Sequence, residues 1–269
     1  MGFRDGCSGT RGVTEARVPQ MPRAFIFLLR QVKMIGIIGA MEEEVQQIRQ
    51  EIHDPRVVEK ASYSFISGHV GDLEVVLLQS GIGKVNAAIG TTLMIEHYSP
   101  KFILNTGSAG GLLPELSIGD VVLAESAGYH DVDATAFGYA KGQIPRMPLV
   151  YAGDSRLLEI AQRCVANGMS FSTVRGLIVS GDKFLAHPDE INNLLADFPE
   201  SAAVEMESAA IAQTCYQLNT PFLIIRSISD KADSTSPGDF QENLHTASMN
   251  SARTILELLR FYREHPGEA

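Results

Sequence analysis

The apolar run Ile35-Gly36-Ile37-Ile38-Gly39-Ala40 is followed, after Met41, by three consecutive acids, Glu42, Glu43 and Glu44. Two more acidic motifs abut apolar segments far downstream: Val204-Glu205-Met206-Glu207, and Ile228-Ser229-Asp230 at the end of the run 222–228. Burying an unpaired carboxylate is costly, so acids at the ends of apolar strands cannot all be core material. Such placement suits a crevice at the edge of an α/β sheet, where polar groups sit on a rigid frame. The pattern reads as an enzyme built around carboxylates, with no obvious metal.

With 269 residues, 45% of them hydrophobic, the chain can bury a substantial core. Helical patterns and short apolar runs alternate without a clear linker, which favours one domain. The formal net charge of -10 disfavours attraction to nucleic acid or to an anionic membrane, yet leaves room for a nucleoside-sized ligand. Cys7, Cys164 and Cys215 are an odd, scattered set without metal spacing or a disulfide framework, so a reducing, cytoplasmic setting is the default. The seven histidines are scattered too, and no zinc motif includes them.

The first 33 residues carry six basic and two acidic side chains, a balance of +4 that leaves -14 on residues 34–269. The stretch 24–29 is apolar but far too short to span a bilayer, and no convincing small-residue cleavage site follows it. Residues 1–32 read as a disordered or non-native extension, 33–265 as a single domain with Met34 a credible internal start, and 266–269 as a flexible tail.

Periodicity and turn residues predict strands over 33–38, 102–105, 121–124, 174–180 and 222–228. Residues 63–69 and 74–79 flank Gly71-Asp72 as a hairpin. Helices are expected over 42–51, 85–96, 154–167, 191–197, 208–217 and 246–264. The glycine-rich segment 107–111 reads as a loop after a strand. Residues 125–150 form a long polar and aromatic insertion of the kind that usually carries function. Alternating strands and helices argue for a layered α/β domain. The early hairpin makes its central sheet mixed, with helices on both faces.

Each chemical motif also has a plainer reading. Gly81-Ile82-Gly83-Lys84 before a helix looks like a phosphate loop, but it lacks the full spacing and suits a structural turn equally. Glu42, Glu43 and Glu44 fall in a first helical turn, where acids stabilise exposed amides; partial desolvation would instead suit one of them to acid–base work. Glu205 and Glu207 share a face if extended, whereas in a turn they approach one ligand from different sides. A carboxylate there accepts both hydroxyl hydrogens of a vicinal diol, and Met206 offers a deformable apolar surface. Arg226, inside an apolar run, demands a carboxylate partner or a bound anion. Asp230 is either a turn residue or a proton donor to a heteroatom.

Taken together, the motifs resemble those of 5′-methylthioadenosine/S-adenosylhomocysteine nucleosidases, within the wider purine nucleoside phosphorylase-like family. The resemblance rests on the segment 35–44, Ser80-Gly81-Ile82-Gly83-Lys84 and Asn105-Thr106-Gly107-Ser108-Ala109-Gly110-Gly111. It continues through His130-Asp131-Val132-Asp133, the segment 135–139, Ser180-Gly181-Asp182, Val204-Glu205-Met206-Glu207 and Arg226-Ser227-Ile228-Ser229-Asp230. It covers nearly all of residues 33–265.

The resemblance implies a three-layer α/β/α sandwich, a homodimer, an adenine nucleoside substrate and no cofactor. Glu44 would activate the attacking water, positioned by Ser108 and Arg226. Glu207 would hold the ribose hydroxyls while Met206 packs against the sugar. Asp230, assisted by Ser229, would serve N7 of adenine. Phe184 would stack on the base, and Leu185, standing where isoleucine is more familiar, would contact it through its backbone. Phe137 and Pro145 would reach the partner subunit's 5′-substituent pocket, which Phe240 covers from within its own subunit. Three alternatives remain: phosphorolysis, hydrolysis of a futalosine-type nucleoside, and nucleoside binding without catalysis.

Overall fold

The computed structural model describes residues 34–166, 168–233 and 236–265. The expected extension over 1–32, Lys33, Asn167 and the tail over 266–269 lie outside the described residues. Strands β1 (Ile35–Gly39), β2 (His53–Lys60), β3 (Tyr63–Val70), β4 (Leu73–Gln79) and β5 (Ile103–Gly111) carry the first half of the chain. Helix α1 (Glu42–Gln50) follows β1, and α2 (Lys84–Tyr98) follows β4. The second half contains β6 (Val121–Tyr129), β7 (Val150–Ala152), α3 (Ser155–Val165), β8 (Thr173–Ser180) and α4 (Pro188–Asp197). It closes with β9 (Ser201–Glu205), α5 (Ser208–Gln217), β10 (Phe222–Asp230) and α6 (Ser236–Glu264).

Among the described residues ten strands join one mixed sheet, with β1 parallel to both β4 and β5 and the expected β3–β4 hairpin antiparallel. Strand β5 has three partners: β1, β10 and, at Gly110 and Gly111, the antiparallel β9. Because β10 also pairs with β6, β6 with β8, and β8 with β9, five strands close into a ring. The acid-bearing ends of β9 and β10 are thereby drawn towards the glycine-rich end of β5.

The central strands are apolar on both faces because helices cover both sides. On β1, Ile37 joins the layer under α1, α3 and α6, and Ile38 joins the layer under α2 and α5. On β10, Leu223 and Ile225 face α6, whereas Ile224 and Ile228 face the opposite layer. This period-two alternation puts Arg226 on the α5 side of the sheet. The result is the three-layer α/β/α architecture with a mixed central sheet.

Several boundaries differ from the sequence reading. Residues 107–111, expected as a loop, complete β5, since pairing with β9 and β10 supplies partners for that backbone. Strand β2, not anticipated, is an edge strand exposed along its whole length. Strand β6 runs to Tyr129 and takes in the start of the expected insertion, whose middle holds a short 3₁₀ turn, Thr135–Phe137. Helix α6 begins ten residues earlier than expected, at Ser236, with Pro237 in its first turn, where a missing N–H costs nothing.

Ser251, fully buried on α6, ties that helix to the two strands at the centre of the sheet. Its hydroxyl donates to the Ile225 carbonyl at 3.1 Å, accepts from the Gly107 amide at 3.0 Å and lies 2.6 Å from Thr106 Oγ1. Ser251→Ala leaves the Gly107 amide without its acceptor and should lower unfolding stability by about 1–3 kcal/mol. Urea denaturation checks this; an unchanged midpoint would show that Ser251 is not a tie.

Candidate active site

Glu44 lies in the first turn of α1, folded back over the β1–α1 junction. Its Oε2 accepts from the amides of Ala40 (2.8 Å) and Met41 (3.1 Å), so it caps its own helix. Its Oε1 accepts from the amide (2.9 Å) and hydroxyl (3.1 Å) of Ser108, on the glycine-rich half of β5. Glu42 and Glu43 do not share this position; Glu42 pairs with Arg49 along the helix surface. The triad of acids therefore separates into surface charge and one buried carboxylate.

Arg226 is 1% exposed and organises everything around it. Its Nη2 lies 2.6 Å from Glu205 Oε2, 3.5 Å from Glu207 Oε2 and 2.9 Å from Asn105 Oδ1. Its Nε donates to Ser208 Oγ at 3.1 Å, and Nη1 sits 3.9 Å from Glu44 Oε1. Burial opposes the guanidinium charge, but the three carboxylates outweigh it and push its pKa up. Gly107 stands beside it because of closeness: a Cβ there would lie 2.0 Å from Arg226 Nη1 and 2.7 Å from Glu44 Oε1.

The two glutamates of the Val204–Glu207 motif have different tasks, because the chain leaves β9 and enters α5 between them. Both oxygens of Glu205 are taken, by the amides of Glu207 (3.0 Å) and Ser208 (2.9 Å), by Ser180 and by Arg226. Glu205 thus satisfies open amides at the N-terminus of α5. Glu207 instead accepts one amide, that of Gly83 at 2.8 Å, in addition to its longer contact with Arg226. Burial, then the neighbouring charges of Glu205 and Glu44, push the Glu207 carboxyl up to about 8 against the opposing pull of Arg226 and Gly83.

Asp230 ends β10 across the cavity. Its Oδ2 accepts from Ser229 Oγ at 2.9 Å and its Oδ1 from the Ala232 amide at 2.9 Å. The turn role and a position facing the cavity are therefore combined in one residue.

Glu44, Ser108, Met206, Glu207, Ser229 and Asp230 all line one cavity of about 300 Å³, with Phe184, Leu185 and Phe240 forming part of its apolar wall. The rings of Phe184 and Phe240 meet edge to face, 5.7 Å apart. Arg226 does not line this cavity; it lies behind the carboxylates. Phe137 and Pro145 do not line it either, and Phe137 is 83% exposed on its 3₁₀ turn. Met41, Ile82, Lys183 and Ala232 also line the wall, and none of them was given a role from the sequence. The signal for Ile82 was available, as an apolar side chain between two glycines that is half exposed in the fold.

Residues 34–260 match the family pattern described as phosphorylase superfamily. A 5′-methylthioadenosine/S-adenosylhomocysteine nucleosidase from Pseudoalteromonas translucida is 48% identical over 225 residues, spanning 84% of this chain and 96% of the relative. The chain belongs to this nucleosidase family, within the phosphorylase superfamily. The crystal structure of the Neisseria meningitidis nucleosidase, in complex with methylthio-immucillin-A, superposes with a TM-score of 0.83 at 44% identity, covering 85% of this chain and 99% of that one. A futalosine hydrolase from Helicobacter pylori shares the fold, with a TM-score of 0.82 at 31% identity over 85% of this chain and 98% of that one.

In this nucleosidase the raised Glu207 pKa has a consequence for stability. Between an unfolded carboxyl near ~4.3 and the folded value of about 8, the folded state holds a proton that the unfolded state has released. Stability must then fall as pH rises through that window, by about 1.4 kcal/mol per pH unit for one proton. Glu207→Gln should flatten the decline between pH 5 and 8 in urea unfolding of the ligand-free protein. Parallel profiles for the two proteins would mean that Glu207 is not the group responsible.

Proposed function

We propose that this protein hydrolyses the N9–C1′ bond of 5′-methylthioadenosine and S-adenosylhomocysteine, releasing adenine and the thioribose product. The observation that carries this reading is the convergence of Glu44, Glu207 and Asp230 on one cavity that also has an aromatic wall. Breaking the bond builds positive charge on the ribose and negative charge on the departing base. Asp230, steadied by Ser229, gives a proton to N7, and the N9–C1′ electron pair leaves with adenine. Glu207 holds the ribose hydroxyls, and the buried carboxylates stabilise the oxocarbenium-like sugar as its charge develops. Water attacks C1′ and yields its proton to Glu44, with Ser108 and, from behind, Arg226 ordering that side of the site. Phe184 and Leu185 take the base, Met206 the sugar.

A phosphate nucleophile would need a cationic pocket beside C1′. Glu44 occupies that place in the proposed arrangement, and a carboxylate repels phosphate. The protein should release adenine from 5′-methylthioadenosine in phosphate-free, chelator-treated buffer, followed by the absorbance change. A rate that appears only when phosphate is added would sink the hydrolase reading. Asp230→Asn should retain nucleoside binding and lose roughly 10²–10⁴-fold in kcat, and a nearly unchanged kcat would remove Asp230 from the acid role. Assays with S-adenosylhomocysteine and aminodeoxyfutalosine rank the 5′-substituents.

The catalytic unit in this reading is residues 33–265, with 1–32 an extension and 266–269 a tail, and the working form is a cytoplasmic homodimer. Two observations support a second copy. Ile82, Val85 and Ile89 stand exposed at the start of α2, and Phe137 and Pro145 project from the 125–150 segment without reaching their own cavity. The Phe137 segment then completes the partner's 5′-substituent pocket beside Phe240. Among the described residues no helix is long and apolar enough to cross a membrane. A fragment spanning 33–265 should sediment as a dimer and release adenine at the full-chain rate; an inactive monomer would overturn this organisation.

A further inference from the structure

We propose that Lys84, Asp131 and Asp182 form a positioning clamp that aims the Gly83 amide at Glu207 and so sets how the site grips the sugar. The inference rests on the reading of Glu207 as the ribose-binding carboxylate. None of the three clamp residues lines the cavity, and each acts through another group.

The geometry begins at Gly83, which precedes α2 with φ 97° and ψ 158°. Side chains rarely adopt that conformation, and a Cβ at Gly83 would also approach Asp182 Oδ1 to 3.1 Å. The unusual backbone turns the Gly83 amide onto Glu207 Oε1, while the next amide, that of Lys84, donates to Asp182 Oδ1 at 2.8 Å. Asp182 therefore accepts an open amide of α2 from a different part of the chain. It is held in turn, because its own amide donates to Asp131 Oδ2 at 2.9 Å. The Lys84 ammonium closes the loop, donating to both Asp131 oxygens at 2.7 and 2.5 Å and lying 3.8 Å from Asp182 Oδ2. Burial opposes ionisation of Asp131, but Lys84 and the Asp182 amide overcome it and hold the carboxyl below its usual range.

Three segments meet here: the turn before α2, the residues after β6 and the residues after β8. The last two are seated on the closed strand ring, since the His130 amide donates to Ser180 O and the Gly181 amide to Glu205 O. The clamp thus transfers the rigidity of the ring to a glycine turn that could not hold a fixed conformation alone. Of the carboxylates lining the cavity, Glu207 is the one that accepts from the Gly83 amide. The other charges facing Glu207 are Glu205 on β9, Arg226 on β10 and Glu44 on α1, and none of them contacts Lys84, Asp131 or Asp182 in the hydrogen bonds and ion pairs described.

The test compares Lys84→Met and Asp131→Ala in the full-length protein, with Lys84→Arg as the conservative control. Each of the first two should raise KM for 5′-methylthioadenosine about tenfold, as expected for misdirecting a hydrogen bond to a charged group, with a smaller fall in kcat. Both should also move the acid limb of kcat/KM to higher pH, because Glu207 loses the amide that favours its ionised form. A simple field effect predicts opposite shifts, since one variant removes a positive charge and the other a negative one. Lys84→Arg should restore KM and the pH profile. In a Glu207→Gln background neither variant should add to the rise in KM.

Opposite pH shifts, or full additivity with Glu207→Gln, would overturn the clamp while leaving the ribose role of Glu207 intact. If Glu207→Gln alone left KM and the acid limb unchanged, the ribose role and the clamp would fall together. If Asp131→Ala does not fold, Asp182→Ala, which removes the acceptor for the Lys84 amide, takes its place, with the same KM rise and upward shift required.

Discussion

One buried guanidinium sets the terms for the rest of this structure. Moving a charge out of water costs several kcal/mol even after relaxation, and an arginine inside a strand flanked by isoleucines survives only if its partners are fixed. Here they come from three separate elements: Glu205 at the end of β9, Glu207 at the start of α5 and Glu44 in α1. Asn105, Ser208 and the Ser108 carbonyl accept from its N–H groups as well. The arrangement constrains the backbone as well, since β5 passes so close that position 107 admits no side chain. Removing Arg226 would leave three carboxylates facing one another with no countercharge, so the same residue supports both the fold and the site.

The charge balance of that cluster explains its chemical bias. Three carboxylates around one cation leave an excess of negative charge that burial does not allow water to screen. Burial and the neighbouring carboxylates push the Glu207 pKa up, the direction that eases this excess. A sugar that becomes cationic relieves it in another way, and does so only as the bond breaks. An anionic nucleophile meets repulsion from the same charges. In the proposed reaction the preference for water over phosphate follows from Glu44 beside C1′ together with the acids that β9 and β10 bring to the same cavity.

How far the sequence reveals this depends on which physical signal a segment carries. Strands β1 and β10 stand out because burial on both faces makes them mostly apolar, and the acids that follow or end them are conspicuous for the same reason. Strand β2 was invisible: His-Asp-Pro-Arg-Val-Val-Glu-Lys is exposed on both faces, so no alternation marks it. Glycine-rich 107–111 looks like a loop because glycine has low strand propensity, yet here the lack of a side chain is what lets β5 pass beside Arg226. The roles of Glu205 and Glu207 could not be separated by spacing alone. Both line the cavity, and only the strand-to-helix transition between them engages Glu205 with helix amides while Glu207 accepts from Gly83. Phe137, implied by the resemblance, does not line the cavity of its own chain and stands exposed on its 3₁₀ turn, where no periodic signal marks it.

Glu44 raises a narrower point about the proposed water activation. A carboxylate offers about four acceptor sites, and four donors already occupy them: the amides of Ala40, Met41 and Ser108, and the Ser108 hydroxyl. A fully engaged carboxylate cannot also accept a proton from water. The three amides are fixed by the β1–α1 turn and by β5, so they cannot yield. The Ser108 hydroxyl turns about a single bond and makes, with the Met41 amide, the longer pair of the four contacts at 3.1 Å. In the proposed reaction it is therefore the donor that gives way, rotating to meet the water oxygen as Oε1 takes the proton. Serine at 108 is then required for mobility as much as for hydrogen bonding, and an alanine there would leave Oε1 open but the water without its guide.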